Sequence, residues 1–233
     1  MTMSDTHILD RLDSALANLR VWIEGGEWVQ EYANWVVKFF SLLDQLTGKS
    51  LNEVSESVRP ELMERALWAC FEDFLTLKDE AGKSIVDIYL ESHPDLDSST
   101  VESLLAAKRS RVGLFEVVEV LEGDVAVLRD ILNRGELFRV EGISGALVGQ
   151  SVAVRVVRIG DVGVATQTVF PMESEDRDRF IQGYEQAYRQ VLKDVPKYLR
   201  KDSRQIDRAR DVALEYGAEL ATVYWLRQVL KSS

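Results

Sequence analysis

A series of short segments rich in β-branched residues, between Val112 and Phe170, most constrains what this chain can fold into. Turns containing glycine with aspartate or asparagine separate the segments, and such turns typically join neighbouring antiparallel strands. Segments that follow one another about every ten residues favour a small barrel over βαβ units. The sequence therefore predicts a five-stranded antiparallel β-barrel, of either the SH3-like or the OB-like type. The strands are expected at residues 112–121, 125–131, 136–141, 151–159 and 162–170.

The first of these strands does not alternate cleanly between apolar and polar residues. Glu116 and Glu119 would lie on opposite faces of a regular strand, because successive side chains point to opposite sides. A β-bulge or a sharp twist would place both glutamates at the surface, and small barrels use such irregularities to close. We therefore expect an irregularity within this strand.

The segments before and after the barrel have helical periodicity. Residues Leu12, Leu16 and Leu19 form one apolar stripe, and a second stripe runs without interruption from Trp28 to Leu46. After the barrel, one helix is expected to open at Ser174 and another to run from Asp202 to Leu230. The predicted fold class is α+β, with a helical region at 1–110, the barrel at 111–171 and C-terminal helices at 172–233 that pack with the N-terminal ones.

Composition narrows the class of protein. The chain has 233 residues, of which 46% are hydrophobic, and this is ample for a packed core. No apolar run approaches the roughly 20 residues of a membrane-spanning helix. The first ten residues are polar and acidic, so they are not expected to act as a signal peptide. With a single cysteine, Cys70, neither an internal disulfide nor a cysteine-rich zinc site is expected. These features predict a cytoplasmic protein that does not associate with membranes.

Six motifs between residues 71 and 170 are distinctive: Phe71–Phe74, Gly82–Tyr89, Ser92–Leu96, Leu114–Val120, Leu128–Leu132 and Gly149–Arg155. Through them the chain resembles a group of uncharacterised bacterial proteins. The resemblance implies a helical region that leads through a turn into a small β-barrel, and it implies no activity. Some members of that group carry a cysteine-rich zinc-binding tail of the SEC-C type, and none is expected here because Cys70 is the single cysteine of the sequence.

Few residues are candidates for catalysis. His7 and His93 are the only histidines, and His93 precedes Pro94 in a turn. A histidine there is either a pH-sensitive or catalytic imidazole or, more commonly, a turn residue that packs and bonds locally. Cys70 lies on an apolar stripe beside Glu72 and Asp73, so it is expected to be a small buried hydrophobe rather than a reactive thiolate.

The carboxylates near this cysteine form a cluster in sequence. Glu72, Asp73, Asp79 and Glu80 lack the spacing of a carboxylate metal site or a calcium loop. Their ordinary interpretation is a solvated acidic face. The sequence thus assigns no catalytic residue, no metal ligand and no cofactor.

One feature departs from the acidic background, and we call it the basic segment, residues 189–210. It carries a net charge of +5 in a chain whose net charge is −11. Tyr188 and Tyr198 lie beside or within it and could stack on bases. The segment is either an anion or nucleic-acid site or, more commonly, a solvated helix junction whose cations pair with the acidic body. The candidate contacts are Lys197, Arg200, Lys201, Arg204 and Arg208.

Three hypotheses about function follow. The leading one is a non-enzymatic interaction module that binds a protein partner, since small barrels often bind peptides or nucleic acids. The second is nucleic-acid binding through the basic segment, with an affinity that falls steeply as salt rises. The third is an enzyme with a carboxylate site between the barrel and the helices, which would require a cleft with convergent acids of shifted pKa.

Overall fold

The computed structural model of the protein describes residues 6–77, 82–132 and 135–232. Within these ranges, helices flank a five-stranded barrel on both sides in sequence, so the predicted α+β fold is confirmed. The helices before the barrel are α1 (Thr6–Gly25), α2 (Val29–Phe39), α3 (Ser41–Thr47), α4 (Leu51–Ser57), α5 (Pro60–Phe74), α6 (Ile85–Ser92) and α7 (Ser98–Arg109). The strands are β1 (Val112–Leu121), β2 (Val125–Asp130), β3 (Leu137–Glu141), β4 (Ser151–Ile159) and β5 (Val162–Met172). The helices after the barrel are α8 (Ser174–Asp194), a 3₁₀ helix (Lys197–Leu199), α9 (Ser203–Leu214) and α10 (Gly217–Ser232).

The barrel is closed, with the strand order β1-β2-β3-β5-β4 and with β4 paired back to β1. Four of its pairs are antiparallel, but β3 and β5 are parallel, pairing Val140 with Gly163 and Glu141 with Val164. The prediction of a wholly antiparallel barrel is therefore wrong at this pair. The reason is geometric, because strands that alternate in direction cannot close a ring with an odd number of members. Within the choice left open by the sequence, this Greek-key order is OB-like.

The irregularity expected in the first strand is confirmed. The register of β1 against β2 shifts between Val117 and Glu119, as in a β-bulge. The turn that follows has positive φ at Gly123 (76°) and at Asp124 (57°), the conformation that suits a tight hairpin. The turn predicted around Asn133 and Arg134 falls outside the described residues.

Two helices predicted as continuous are interrupted. The stripe from Trp28 to Leu46 is divided at Phe40 into α2 and α3, and the break allows the consecutive rings of Phe39 and Phe40 both to be buried, in edge contact at 5.1 Å. The C-terminal helix is likewise divided, into α9 and α10. Periodicity shows which residues face the core but not where a helix must bend to follow it.

The core consists of three connected groups of buried side chains. One fills the barrel and is built mainly from valines, alanines and leucines of the inward-facing strand positions. The other two lie between the outer face of the barrel and the helices, one with α3, α5 and α10 and one with α1, α5 and α7. Helices from both ends of the chain thus cover the barrel and pack on each other. In the part of the chain that the structure describes, none of the helices combines the length and the hydropathy needed to cross a bilayer.

The close approach of α10 to β1 gives a test of this packing. A Cβ added at Gly217 would lie 2.9 Å from the carbonyl oxygen of Val112, and backbone cannot move aside as a side chain can. We expect Gly217→Ala to lower the free energy of unfolding by about 1–3 kcal/mol, as overpacking does. Gly183→Ala is the matched control, because its Cβ would lie in ordinary contact, 3.6 Å from Leu220. Within α8 that change should raise stability by about 0.5–1 kcal/mol. Urea unfolding of both variants checks this, and equal stabilities would contradict it.

Candidate functional site

A cleft of about 560 Å³ opens at the end of the barrel where β1 and β3 begin and β2 and β4 end. We call it the barrel cleft. Its walls come from the barrel, from the end of α7 with the residues that follow, and from one side of α9. The lining residues are Ala106, Arg109, Ser110, Arg111, Gly113, Phe115, Asp130, Glu136, Phe138, Val156, Arg158, Asp207, Arg210, Asp211 and Leu214.

Two aromatic rings form much of the apolar part of the cleft, and one guanidinium group stacks on one of them. Phe115 and Phe138 meet edge to face, with ring centres 6.3 Å apart. The guanidinium carbon of Arg158 lies 4.1 Å from the centre of the Phe138 ring, a cation–π arrangement. Gly113 leaves room for this packing, because a Cβ there would come within 2.7 Å of the Phe115 ring. The result is a flat, cationic surface beside an open volume.

The arginines of the cleft are not all neutralised by its carboxylates. Arg210 contacts Asp207 at 3.4 Å, whereas Arg111 donates to the carbonyl oxygens of Ser110 (2.8 Å) and Lys108 (3.2 Å). Burial lowers the pKa of Arg111, and the nearby positive charge of Arg155 lowers it further. Across the described residues, Arg109 and Arg158 have no carboxylate partner within ion-pair distance. Guanidinium groups of this kind are suited to bind planar anions.

Behind the cleft lies a group of charged side chains that we call the buried ionic cluster: Glu72, Asp73 and Arg155. Arg155 is 1% exposed and projects from β4 toward α5. Its Nη2 donates to Oδ1 of Asp73 at 3.1 Å, and its Nε lies 3.4 Å from Oε2 of Glu72. The cluster therefore ties helix α5 to the outer face of the barrel.

Hydroxyl and carbonyl groups add further hydrogen bonds to the cluster, although Nε of Arg155 makes none. Thr166 and Thr168 of β5 lie 2.9 Å and 2.8 Å from Oε2 of Glu72 and donate to it through their hydroxyl groups. Nη1 of Arg155 donates to the carbonyl oxygen of Ser110 at 2.9 Å. Since Ser110 also lines the barrel cleft, the cluster fixes one wall of the cleft.

The cluster holds two carboxylates and one guanidinium group, so it carries an excess negative charge when both acids are ionised. Burial raises the pKa of Glu72 to about 7, although Arg155 and the two threonine hydroxyls oppose the rise. Burial also raises the pKa of Asp73, against the influence of Arg155. A proton on Glu72 leaves a neutral cluster, which costs less to hold in a medium of low dielectric constant.

The interpretation of these acids as a solvated face is wrong for Glu72 and Asp73, which are 2% and 4% exposed. Asp79 and Glu80 fall outside the described residues. A signal for the burial was present in the sequence. The two acids lie between Phe71 and Phe74 on a helix with a strong apolar stripe, and Arg155 interrupts a run of valines. Nothing in the sequence pairs Arg155 with Asp73 and Glu72, which precede it by 82 and 83 residues.

The residues proposed from the basic segment are only partly brought together at the cleft. Lys197, Lys201, Arg204 and Arg208 are exposed and, in the described part of the chain, form no ion pair. Arg200 instead donates to the carbonyl oxygens of Val195 and Lys193, each at 2.9 Å, and so caps the end of α8. The segment reaches the cleft through Arg210. Sequence reasoning missed the other three arginines there, Arg109, Arg111 and Arg158. They are distant from the basic segment in sequence, since they come from the end of α7, the junction between α7 and β1, and β4.

His93 and Cys70 lie away from the barrel cleft. His93 follows α6, and its Nδ1 lies 2.9 Å from the carbonyl oxygen of Tyr89, while its ring packs on that tyrosine at 4.2 Å. The side chain of His7 is outside the described part. Cys70 is buried, and burial, with the charge of Asp73, raises the pKa of its thiol. Its environment is that of a packed apolar side chain.

Glu72→Gln tests the titration of the cluster, because glutamine resembles the protonated acid. The raised folded-state pKa means that the folded chain binds this proton more tightly than the unfolded one. The resulting stability is full below the ordinary pKa of 4.5 and is lost as pH rises through about 7. The stability of Glu72→Gln relative to wild type should therefore increase by on the order of 3 kcal/mol between about pH 4.5 and pH 8.

Urea unfolding at several pH values measures this difference. Glu61→Gln, an exposed carboxylate on the same helix, is the control and should show little change with pH. Parallel pH profiles for Glu72→Gln and wild type would refute the assignment.

Arg155→Met tests the other half of the cluster. Removing the guanidinium group leaves two buried carboxylates without a cation, which should cost about 3–5 kcal/mol at about pH 8. Adding Glu72→Gln to Arg155→Met should recover part of this loss, since one of the two negative charges is then absent. A double variant no more stable than Arg155→Met at that pH would show that charge burial is not the cause.

Comparisons with known proteins give a family but no activity. A family model matches residues 63–199, which include most of α5, the whole barrel, the buried ionic cluster and most of the residues that line the cleft. A search of curated proteins finds no significant match, and a search of solved structures also finds none. Because the match extends over more than half of the 233 residues, the chain belongs to DUF7986, a family of unknown function.

Proposed function

We propose that this protein is a cytoplasmic, non-enzymatic binding module whose ligand occupies the barrel cleft. The observation that carries the proposal is the composition of the cleft. Two phenylalanines form much of its apolar part, and Arg109 and Arg158 have no carboxylate partner in the described chain. The ligand that suits this lining has a flat ring and an anionic group.

The dimensions of the cleft support a ligand site. Its volume of about 560 Å³ lies within the roughly 300–1,000 Å³ typical of pockets for organic ligands. The mouths of β-barrels are among the places where such pockets recur. A small molecule meets the requirement, and so does a side chain or chain end presented by a partner protein. Either would place a planar group against Phe138 and Arg158.

The position of the unusual acids supports binding over catalysis. Glu72 and Asp73, whose pKa values are raised, belong to the buried ionic cluster and do not line the cleft. A catalytic acid or base must come within hydrogen-bond reach of the reacting group. The cluster is separated from the cleft by Ser110, so it is placed to hold the wall of the site.

An aromatic sulfonate, 8-anilinonaphthalene-1-sulfonate, is a direct probe, because it combines fused rings with one anionic group. We expect saturable binding of one molecule per folded chain, seen as a rise in probe fluorescence. Arg158→Ala should weaken the binding by about five- to tenfold, since it removes one cation–π contact and one charge. Because the side chain of Arg158 is exposed, this variant should leave the core intact.

Arg177→Ala is the control, because Arg177 pairs with Asp178 on α8 and does not line the cleft. Its affinity for the probe should equal that of wild type. Melting curves establish that all three proteins are folded during the titration. An equal loss in both variants, or no saturable binding by the wild type, would refute the proposal.

A further inference from the structure

We infer that the barrel cleft and the exposed cations of α9 together bind single-stranded nucleic acid, with a base in the cleft and the phosphates along the helix. The inference rests on the proposed function of the cleft and names the class of its ligand. It is carried by the way α9 joins two features, the cleft and the basic segment. Each feature supplies one of the two contacts that such a strand requires.

Helix α9 lines the cleft and also carries cations of the basic segment. Asp207, Arg210, Asp211 and Leu214 line the cleft from one side of this helix. Arg204 and Arg208 are four residues apart, so they project from one side of α9 as neighbours. The helix has 12 residues and is therefore about 18 Å long. A strand that leaves the cleft thus finds cations along the adjoining helix surface.

Exposed cations lie on α9 and just before it. Lys201, Arg204 and Arg208 are exposed and have no ion-pair partner in the described ranges. They are therefore available to bind phosphates, and a chain of net charge −11 gains a local positive surface there. Phosphate binding by exposed cations releases counterions and supplies affinity independent of sequence.

Exposed aromatic side chains near α9 offer surfaces on which bases can stack. Tyr198 is 82% exposed just before α9, and Tyr216 is 58% exposed just after it. Within the cleft, Phe138 and Arg158 form the flat surface already described. Aromatic rings and guanidinium planes on which bases can stack, combined with a cationic track, are the recurrent elements of single-strand binding sites.

The size and lining of the cleft favour a single strand over a duplex and some bases over others. A base in a duplex is stacked and paired, and cannot enter a cleft of about 560 Å³ unless it is first extruded. Glu136 and Asp211 on the cleft wall are exposed carboxylates, which accept hydrogen bonds from amino groups. Cytosine and adenine carry such exocyclic amino groups, whereas thymine has none and offers a single ring N3–H donor. We therefore expect oligo(dC) to bind more tightly than oligo(dT).

Fluorescence anisotropy with labelled oligonucleotides of about twelve residues tests the inference, at low and at physiological salt. The probes are oligo(dC), oligo(dT), a duplex of the same length and a labelled mononucleotide. Wild type should bind oligo(dC) most tightly, with a logarithmic salt slope of about −2 to −3 if three to four phosphates are neutralised. Arg204→Glu/Arg208→Glu should reduce the affinity at least tenfold and make the slope shallower by roughly one or more.

A control variant has the same net charge as Arg204→Glu/Arg208→Glu but carries its changes elsewhere on the surface. Lys49→Glu/Arg59→Glu reverses two exposed cations that lie outside the cleft and the basic segment, and should change the affinity by less than threefold. Arg158→Ala tests the cleft part of the site, because it removes part of the surface on which the base stacks. A base that is no longer held in the cleft cannot contact its carboxylates, so the preference for oligo(dC) over oligo(dT) should be lost. Melting curves confirm that each variant is folded.

Several outcomes would overturn the inference. They are no binding of oligo(dC) at low salt, equal losses in the charge-matched control, equal affinity for the duplex, or equal affinity for the mononucleotide. Retention of the oligo(dC) preference by Arg158→Ala would remove the cleft from the site and with it the inference. If the aromatic sulfonate binds in the cleft while no oligonucleotide binds, the proposed function stands and only the nucleic-acid inference fails.

Discussion

The rest of this structure depends on a single guanidinium group that two carboxylates share in the interior. Burying charges is expensive, and a buried pair that loses one partner is much worse than one that never formed. Arg155 therefore requires Glu72 and Asp73 beside it, and they require Arg155. Since Arg155 belongs to β4 and the two acids to α5, this mutual requirement fixes how the N-terminal helices lie on the barrel.

The same arginine also contacts a residue in the wall of the candidate ligand site. Arg155 also holds the carbonyl oxygen of Ser110, at the junction between α7 and β1, and Ser110 forms part of the cleft wall. The next residue, Arg111, has a lowered pKa because it is partly buried and because the positive charge of Arg155 lies nearby. The protonation state of the cluster and the electrostatics of the cleft are therefore linked through adjacent residues.

Local patterns predicted most of the fold and little of the site. Strand positions and the irregularity near Glu116 followed from alternation, because the outward and inward faces of a strand have different requirements for polarity. The parallel pairing of β3 with β5 did not follow, since it arises from closure of the whole ring. Likewise, Asp73 and Arg155 could be recognised as partners only once α5 was placed against β4. A charged residue in an apolar stretch is a sign of burial, but its partner is a property of the tertiary structure.

Counting charges along the basic segment has the same limit. The net charge of +5 treats all its cations alike, whereas the structure separates them by what they contact. Arg200 satisfies the carbonyl groups at the end of α8, and Arg210 contacts Asp207 in the cleft. Lys197 and Lys201 are exposed but precede α9. Of these exposed cations without an ion pair, Arg204 and Arg208 belong, within the described residues, to the helix that lines the cleft. That placement, rather than the amount of charge, connects the basic segment to the barrel.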